Sequence, residues 1–424
     1  MRKAFVGAAM LATGLMLLTG CGANSNQNSG ELTKAMNITD KPETTTTPEV
    51  TPAEKTTPTP TAVVTQPLPT FAPIREQTVR GLKAKDIVAE MKVGWNLGNT
   101  FDATDGNGIA SETSWGNPKT TADMIRTVAE AGFNVLRIPC TWGNHRIDAN
   151  NTIDPAWLAR VKEVVDYGMD NGMYVILNAH HENDWQKPDN AHIEETEKIQ
   201  KDLWRQIAEY FADYGDHLIF EGMNEPRVVG STDEWNGGTK EGRDCTNRLN
   251  ANFVDTVRAT GGNNRQRILL ITTYAAAVGN NAFDGFVFPK DEYVALSLHA
   301  YTPYRFTYSN SGENETAEFT SEIQAEINNV MNQMAEFSKK GNMPVVITEC
   351  GCETKPFYGK TNAEEIRLWA NGFFKAAQTR GFVCTLWDNG NYDGGGERFG
   401  ILNRRKLTWY FESYNKAVRK VFYP

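Results

Sequence analysis

Two periods of apolar and polar residues alternate along this chain. From about Val79 onward, short and nearly continuous apolar runs lie at Met91–Leu97, Asn134–Pro139, Tyr174–Asn178, Leu218–Met223, Ile268–Thr273, Val294–Leu298, Val345–Thr348 and Val383–Leu386. Such runs fit strands covered on both faces. Between them, apolar residues recur three to four apart, the period of an amphipathic helix. These stretches are Thr121–Ala131, Pro155–Asn171, Ile193–Tyr214, Cys245–Thr260, Ser321–Lys340, Ala363–Arg380 and Trp409–Val421, with a shorter piece at Lys83–Met91. Eight strand signals, each followed by a helix signal, predict an α/β fold with a parallel sheet. Eight repeats over about 345 residues fit a closed (β/α)8 TIM barrel with long loops. An open doubly wound sheet is the alternative. It usually carries a glycine-rich phosphate turn after the first strand, and none is present here.

The N-terminal segment follows neither period. Arg2 and Lys3 precede an apolar run, Ala4–Leu18, and Leu18-Thr-Gly-Cys21 then resembles a bacterial lipobox. The run is too short to span a bilayer comfortably and reads as a secretory signal. The expectation is a signal peptide over residues 1–20 and a lipidated Cys21. A disordered linker over 21–78 and a catalytic domain over 79–424 then follow. From Pro42 to Thr70 the chain has 11 Thr and 7 Pro. Such a segment buries too little apolar surface to offset its conformational entropy. It reads as an extended tether for a cell-surface lipoprotein outside a bacterium, with no other contact to the membrane.

Composition narrows the partners. The net charge of -9 argues against a nucleic-acid backbone. The ten Trp and fourteen Tyr are compatible with sugar binding and equally with core filling. Six cysteines leave five after Cys21, and buried thiols are the expected state of the rest. Zinc is an unattractive reading of His180-His181, because the chain has six His and no His-Glu-x-x-His. No metal or cofactor is expected.

In a parallel barrel the chemistry sits where the strands end. Those ends carry Asn96 and Asn99, Arg137, Asn178 with His180 and His181, Asn224 with Glu225, His299 with Tyr301, Glu349, and Trp387. Two of them deliver a glutamate: Leu218-Ile-Phe-Glu-Gly-Met-Asn-Glu-Pro226 and Met343-Pro-Val-Val-Ile-Thr-Glu-Cys-Gly351. A pair of carboxylates brought together from two strands suits hydrolysis of a glycosidic bond. Alternation predicts that Val345, Ile347 and Glu349 share the face toward the barrel mouth, as do Phe133, Val135 and Arg137.

Residues 80–424 resemble retaining glycoside hydrolases of the cellulase family 5 group. The resemblance rests on Gly94-Trp-Asn-Leu-Gly-Asn-Thr100, Leu136-Arg-Ile-Pro139, His180-His181, Phe220-Glu-Gly-Met-Asn-Glu-Pro226, His299-Ala-Tyr301, Ile347-Thr-Glu349 and Trp387, in that order. Glu112-Thr-Ser-Trp-Gly-Asn-Pro118 resembles the branch of broad-acting endoglucanases and xyloglucanases.

The resemblance implies Glu225 as general acid/base and Glu349 as nucleophile, about 5–5.5 Å apart, with one pKa raised by the other charge. It implies Arg137 beside Glu349, Asn224 on the sugar 2-hydroxyl, and His299 and Tyr301 orienting the nucleophile. His180 would lie in the active site, and His181 would face the other way if the strand stayed extended. Trp387 would be the sugar platform, with Asn99 and Trp115 also in the binding cleft. Trp142 and Trp185 would be rim residues, either subsites or loop packing, and Glu221 a buried structural carboxylate.

The reading is a monomeric endo-β-1,4-glucanase acting on a β-glucan polysaccharide. Xyloglucan or mixed-linkage glucan is the alternative substrate, ahead of mannan or xylan. A carbohydrate-binding protein without catalysis would be expected to lack one glutamate, and both are present. A serine esterase would need Gly-x-Ser-x-Gly, which is absent.

Overall fold

The computed structural model describes residues 70–75, 77–308, 315–357 and 360–424. Cys21, the signal segment and the Thr/Pro-rich stretch up to residue 69 lie outside the described residues. Eight strands form a closed parallel barrel: β1 (Val93–Asn96), β2 (Val135–Ile138), β3 (Tyr174–Asn178), β4 (Leu218–Glu221), β5 (Leu269–Thr272), β6 (Val294–His299), β7 (Val345–Cys350) and β8 (Val383–Leu386). Each pairs with its sequence neighbours, and β1 closes the ring on β8.

The helices are α1 (Ala84–Glu90), α2 (Ala122–Glu130), α3 (Pro155–Asp170), α4 (Ile193–Tyr210), α5 (Lys240–Ala259), α6 (Asn280–Phe283), α7 (Tyr304–Thr307), α8 (Ser321–Gly341), α9 (Ala363–Gln378) and α10 (Glu412–Phe422). Several start where the sequence supplies a cap. Thr121, Asp154, Thr239 and Thr320 each accept a backbone N–H with the side chain, and Pro155 opens α3.

Between β5 and β6, where no amphipathic stretch is read from the sequence, the chain makes a 3-10 turn at Tyr274–Ala276 and the one-turn helix α6. Gly279, Asn280, Asn281, Asp284, Gly285 and Pro289 interrupt any apolar period there. The barrel wall is covered instead by aromatic rings, with Phe283 stacked on Phe337 of α8 at 3.8 Å and Phe286 and Phe288 within 5.1 Å of it.

The interior has two layers. At the base, Ala84, Ile87, Val88 and Met91 from α1 and its C-cap close over Val135, Ile176, Ile219, Leu270, Ala295, Val346 and Val383. Above them the inward positions turn polar: Asn96, Arg137, Asn178, Glu221, Thr272, Ser297, Thr348 and Thr385, all buried. There is no spare room between the layers. A Cβ on Gly94 would meet Thr385 Cγ2 at 2.2 Å.

Alternation fails on β7, which corrects the sequence reading. Val346 belongs to the inner cluster, while Val345 and Ile347 pack outward against the helices. Glu349 would therefore face outward in a regular strand. Against β6 the pairing steps from Leu298↔Ile347 to His299↔Glu349, so β7 carries one extra residue. This bulge turns Glu349 back toward the mouth. Phe133 precedes β2 and also packs outward, while Val135 and Arg137 point in.

Contacts with the barrel base begin before Val79. Ile74 N–H donates to Met169 O at 2.8 Å, Arg75 pairs with Asp170, and Gln77 O accepts from Asn263. All these partners lie at the C-terminal side of the outer helices or just before a strand.

His145 gives the fold a pH dependence. It is 3% exposed, stacks on Trp157 of α3 at 3.6 Å, and neither ring nitrogen has a hydrogen-bond partner. Burial pushes its pKa down to about 4, against a smaller opposing pull from Asp154. The unfolded chain therefore binds a proton first as pH falls. Stability present above pH 6.5 should be lost progressively down to pH 4, by about 3 kcal/mol for this group. His145→Phe keeps the stack and removes the proton site. Denaturation midpoints measured from pH 7 to pH 4 should fall less steeply in the variant, and identical slopes would refute the assignment.

Candidate active site

The polar upper layer is organised by one guanidinium. Arg137, on β2, is fully buried. Nε donates to Glu221 Oε2 at 2.7 Å, and one NH2 group donates to Asn96 Oδ1 (2.9 Å) and Glu349 Oε1 (2.7 Å). The other donates to Glu221 Oε1 (3.1 Å) and Asn224 Oδ1 (2.7 Å). All five N–H groups are used. Arg137 lies beside Glu349, the place expected of it, and its burial and full set of protein acceptors make it a positioning residue with no group left for substrate. Glu221 also accepts from Ser297 Oγ at 2.6 Å, the structural part expected of it.

Glu225 and Glu349 meet above this layer. One oxygen of each, with a His299 nitrogen, lies within 4.8 Å of the others. Glu349 Oε2 accepts from the Tyr301 hydroxyl at 2.9 Å. His299 Nδ1 bridges the pair, 2.8 Å from Glu225 Oε1 and 3.6 Å from Glu349 Oε2. Its Nε2 is buried without a partner. Burial raises the Glu225 carboxyl, but the His299 hydrogen bond and the charges of His299 and Arg227 outweigh it, and the pKa falls below the usual value. Burial lowers His299, but the charge of Glu349 and the bond and charge of Glu225 carry its pKa above 6.5. The upward shift expected for the acid from carboxylate repulsion is thus absent here. The contact favours the ionised Glu225 carboxyl and the protonated His299 imidazole.

The remaining predicted residues line the same mouth. His180 Nδ1 lies 3.0 Å from Asn178 Nδ2, and its ring stacks parallel to Trp387 at 5.7 Å. Burial and the neighbouring His181 hold its pKa well below 6.5, so it is neutral. Trp387 needs Gly98 beside it, where a Cβ would come within 2.8 Å of the indole. Asn224 is 2% exposed, and with Oδ1 given to Arg137 its NH2 is the free end. His181 was expected to face away. It does not, because β3 ends at Asn178 and alternation ends with it. Its ring meets His180 edge-on at 4.5 Å, and Trp115 lies 5.6 Å beyond. Trp115 is partly exposed. Asn99 sits at φ 54° in the turn after β1, its carbonyl held by Asn117 Nδ2 at 2.8 Å.

Trp142 and Trp185 settle as loop packing, 0% and 4% exposed. Trp142 Nε1 donates to Asn178 O, and Trp185 Nε1 to Glu182 Oε2. Glu182 also accepts from the backbones of Trp142 and Gly143, and burial pushes it up to about 7.

Sequence reasoning missed several groups near the site. Asp102 accepts from Asn99 N and Thr100 N, and burial lifts it to about 6. Asp388, next to Trp387, accepts from Trp95 Nε1 (2.8 Å) and Leu402 N (3.0 Å), and Arg404 pairs with it. Arg227 Nη1 lies 3.7 Å from Glu225 Oε2. Its position directly after Asn224-Glu225-Pro226 was the available signal. Asp102 with His180 and His181, and Glu225 with His299 and Glu349, have the donor types for a cation. In the first set Asp102 is committed to backbone N–H groups. In the second, Arg137, Tyr301 and His299 already occupy the carboxylates. Both sets read as hydrogen-bonded networks.

Comparison with known proteins agrees with this geometry. The family described as "Cellulase (glycosyl hydrolase family 5)" matches residues 98–393. "Endoglucanase A" of Ruminococcus albus is 48% identical over 353 residues, covering 83% of this chain and 96% of the relative. A GH5 xyloglucan-specific endo-β-1,4-glucanase from a metagenomic library, solved with cellotriose, superposes with a TM-score of 0.76 at 42% identity, covering 80% of this chain and 98% of that one. A GH5-4 broad-specificity endoglucanase from Clostridium longisporum gives 0.77 at 41%, with coverage of 80% and 98%. The chain belongs to the cellulase family, glycosyl hydrolase family 5.

Proposed function

We propose that this chain is a retaining endo-β-1,4-glucanase, with Glu349 as nucleophile and Glu225 as acid/base. The observation that carries the reading is the short Glu225–Glu349 separation, oxygens within 4.8 Å, with His299 between them. Inverting enzymes need about 6.5–9.5 Å between the carboxyls to admit a water, and retaining ones about 5–5.5 Å.

In the first step Glu349 attacks the anomeric carbon as the bond to the leaving oxygen breaks. Glu225 gives that oxygen the proton kept in the Glu225–His299 pair. In the second, water attacks the glycosyl ester, its proton passes to Glu225, and Glu349 leaves as carboxylate. Arg137 and Tyr301 aim Glu349. The Asn224 NH2 donates toward the sugar 2-hydroxyl, a bond that strengthens as charge develops. Trp387 and His180 form the floor for the sugar being cleaved, and His181, Trp115 and Asn99 extend the cleft beyond it.

The cellotriose bound in solved neighbours, two of them not described as xyloglucan-specific, supports a β-1,4-glucan as substrate. The xyloglucan-specific neighbour makes xyloglucan the second reading with the same catalytic groups. We further propose attachment outside a bacterial cell through lipid on Cys21, supported by the lipobox-like sequence alone.

Reducing-end release by the full chain on carboxymethyl-cellulose, barley β-glucan, xyloglucan, glucomannan and xylan tests the substrate. Carboxymethyl-cellulose should lead. Xyloglucan or barley β-glucan leading would favour the alternative substrates, and silence on all five from folded protein would remove both readings. The catalytic assignment separates the two glutamates. Glu349→Gln should lose at least about 10³-fold in kcat. Glu225→Ala should keep far more activity on an aryl cellobioside with an acidic leaving group than on glucan, since that group leaves unprotonated. Equal losses on both substrates would sink Glu225 as the acid. For the anchor, cells fed a labelled fatty acid should label the wild-type chain and not Cys21→Ser. Label on both, or on neither, would reject it.

A further inference from the structure

The end of the barrel opposite the mouth carries cations around an apolar cavity. The cavity has a volume of about 490 Å³ and lies between α1, α8, α9 and α10. Val345 and Val383, the first residues of β7 and β8, are in its wall, so it opens where the strands begin. Val88, Met91 and Phe422 make the rest of its floor apolar, and Lys85, Lys92 and Arg380 stand around it. The neutral polar side chains at the rim are already committed. Ser338 Oγ donates to Met343 O, and Gln378 Nε2 donates to Val421 O.

The cations keep their charge. Lys92 Nζ donates to Ala89 O at 3.0 Å, and Arg380 donates to Asn332 Oδ1 at 2.6 Å and Ala376 O at 2.7 Å, all neutral acceptors. Lys85 is exposed and has no ion pair among the described residues. Lys339 and Lys340 in the last turn of α8, and Lys420 in that of α10, add exposed charge at the same end. Elsewhere around the base the cations are matched: Arg75 by Asp170, Arg80 by Glu90 and Asp216, Lys83 by Glu292, Arg258 by Asp291. Of the acids on α1, Asp86 accepts the backbone N–H of Lys83 and Glu90 is held by Arg80, so Glu336 of α8 is the carboxylate left beside Lys340. Helix ends explain part of the pattern, since Lys339, Lys340 and Lys420 oppose the negative poles of their helices. They do not explain Lys85, which sits in the first turn of α1, where a cation is unfavourable. An unmatched positive face is also contrary to a net charge of -9.

We propose that this face docks an anionic phospholipid surface, with lipid phosphates on the cationic rim and acyl carbon against the cavity floor. A soluble anion would leave the apolar floor unused, and a neutral glucan would leave the cations unused. Each Lys or Arg held near an anionic bilayer strengthens binding about fivefold, so several acting together give reversible docking without a spanning segment. The catalytic pair lies at the other end of the barrel, and the described chain enters at this one, where Ile74 bonds to Met169 O. The inference is independent of the reaction and of lipid on Cys21.

The test uses the full chain with Cys21→Ser, so that no attached lipid enters the comparison and the N-terminal segment is the same in every arm. The protein is sedimented with vesicles of phosphatidylcholine alone and of phosphatidylcholine and phosphatidylglycerol in equal parts. Binding should favour the anionic vesicles and fall away at about 1 M salt, where the screening length is about 3 Å. Lys85→Gln with Lys92→Gln should weaken that binding at least about tenfold and keep the wild-type denaturation midpoint. Lys339→Gln with Lys340→Gln, which leaves α1 untouched, should weaken it by a similar factor. Lys198→Gln with Lys240→Gln removes the same charge from exposed positions on α4 and α5 and should change it less than about twofold. Inorganic phosphate at matched ionic strength should not release the protein. Equal binding to the two vesicle types, or equal weakening by all three variants, overturns the docking face. Release by phosphate makes the cavity a soluble-anion site and overturns the lipid assignment.

Discussion

The Arg137 guanidinium is the contact on which the site depends. It holds Glu221, Asn96, Asn224 and Glu349, groups from β4, β1, the loop after β4, and β7. A buried ion pair of this kind adds little net stability, because desolvation cancels much of the attraction. Its value is geometric. Removing one partner would strand the other in a dry interior, at a cost of about 3–5 kcal/mol. The barrel therefore has few ways to fold with these side chains misplaced. Charge is also balanced locally: two carboxylates share one cation, and the surplus lies toward the mouth, where His299 and Arg227 sit.

That surplus governs where the catalytic proton resides. His299 is buried and Glu225 partly so, and desolvation alone would favour the neutral form of each. Their 2.8 Å contact lowers the carboxyl, while the charge of Glu349 together with that contact raises the imidazole. Neutral His180 adds no charge to the opposite side of Glu349. Of the three histidines at the mouth, His299 is therefore the one whose pKa is raised, while those of His180 and His181 are lowered. The distinction follows from carboxylate contact: His299 touches two carboxylates closely, whereas His180 Nε2 lies 3.9 Å from Glu349 and His181 Nε2 3.8 Å from Asp102.

What the sequence revealed follows the range of the interactions involved. The strands were legible because each is a local apolar run, and β3 and β8 match the expected bounds. Glu225 and Glu349 were legible because a polar residue at the end of such a run has only the mouth to occupy. The bulge in β7 was not, since it arises from pairing with β6 and β8 and leaves no mark in the order Val345-Val-Ile-Thr-Glu349. Alternation accordingly gave the right destination for Glu349 from the wrong face. His181 was misplaced because the strand end, and not the strand, sets its direction. Trp142, Trp185 and Trp115 all read alike as loop tryptophans. Only burial separates two packers from one rim residue, since the Trp115 indole N–H also has a partner, Asp105. Asp102, Asp388 and Arg404 act across as many as 306 positions of sequence, as in Arg404 to Gly98 O, and no local pattern announces such a contact.

The two layers of the interior also assign the two ends of the barrel different work. A buried network of Arg, Glu, Asn and His is expensive, and it can exist at the upper end because the lower end is apolar and closed by α1. The described chain enters at that closed end, where Ile74, Arg75 and Gln77 bond to residues at the barrel base. The mouth is then free to vary in its loops while the layer beneath stays fixed. Trp387 stands on that fixed layer through a short connection to Cys350. The ring of Trp387 is thus placed by the same strands that aim the carboxylates.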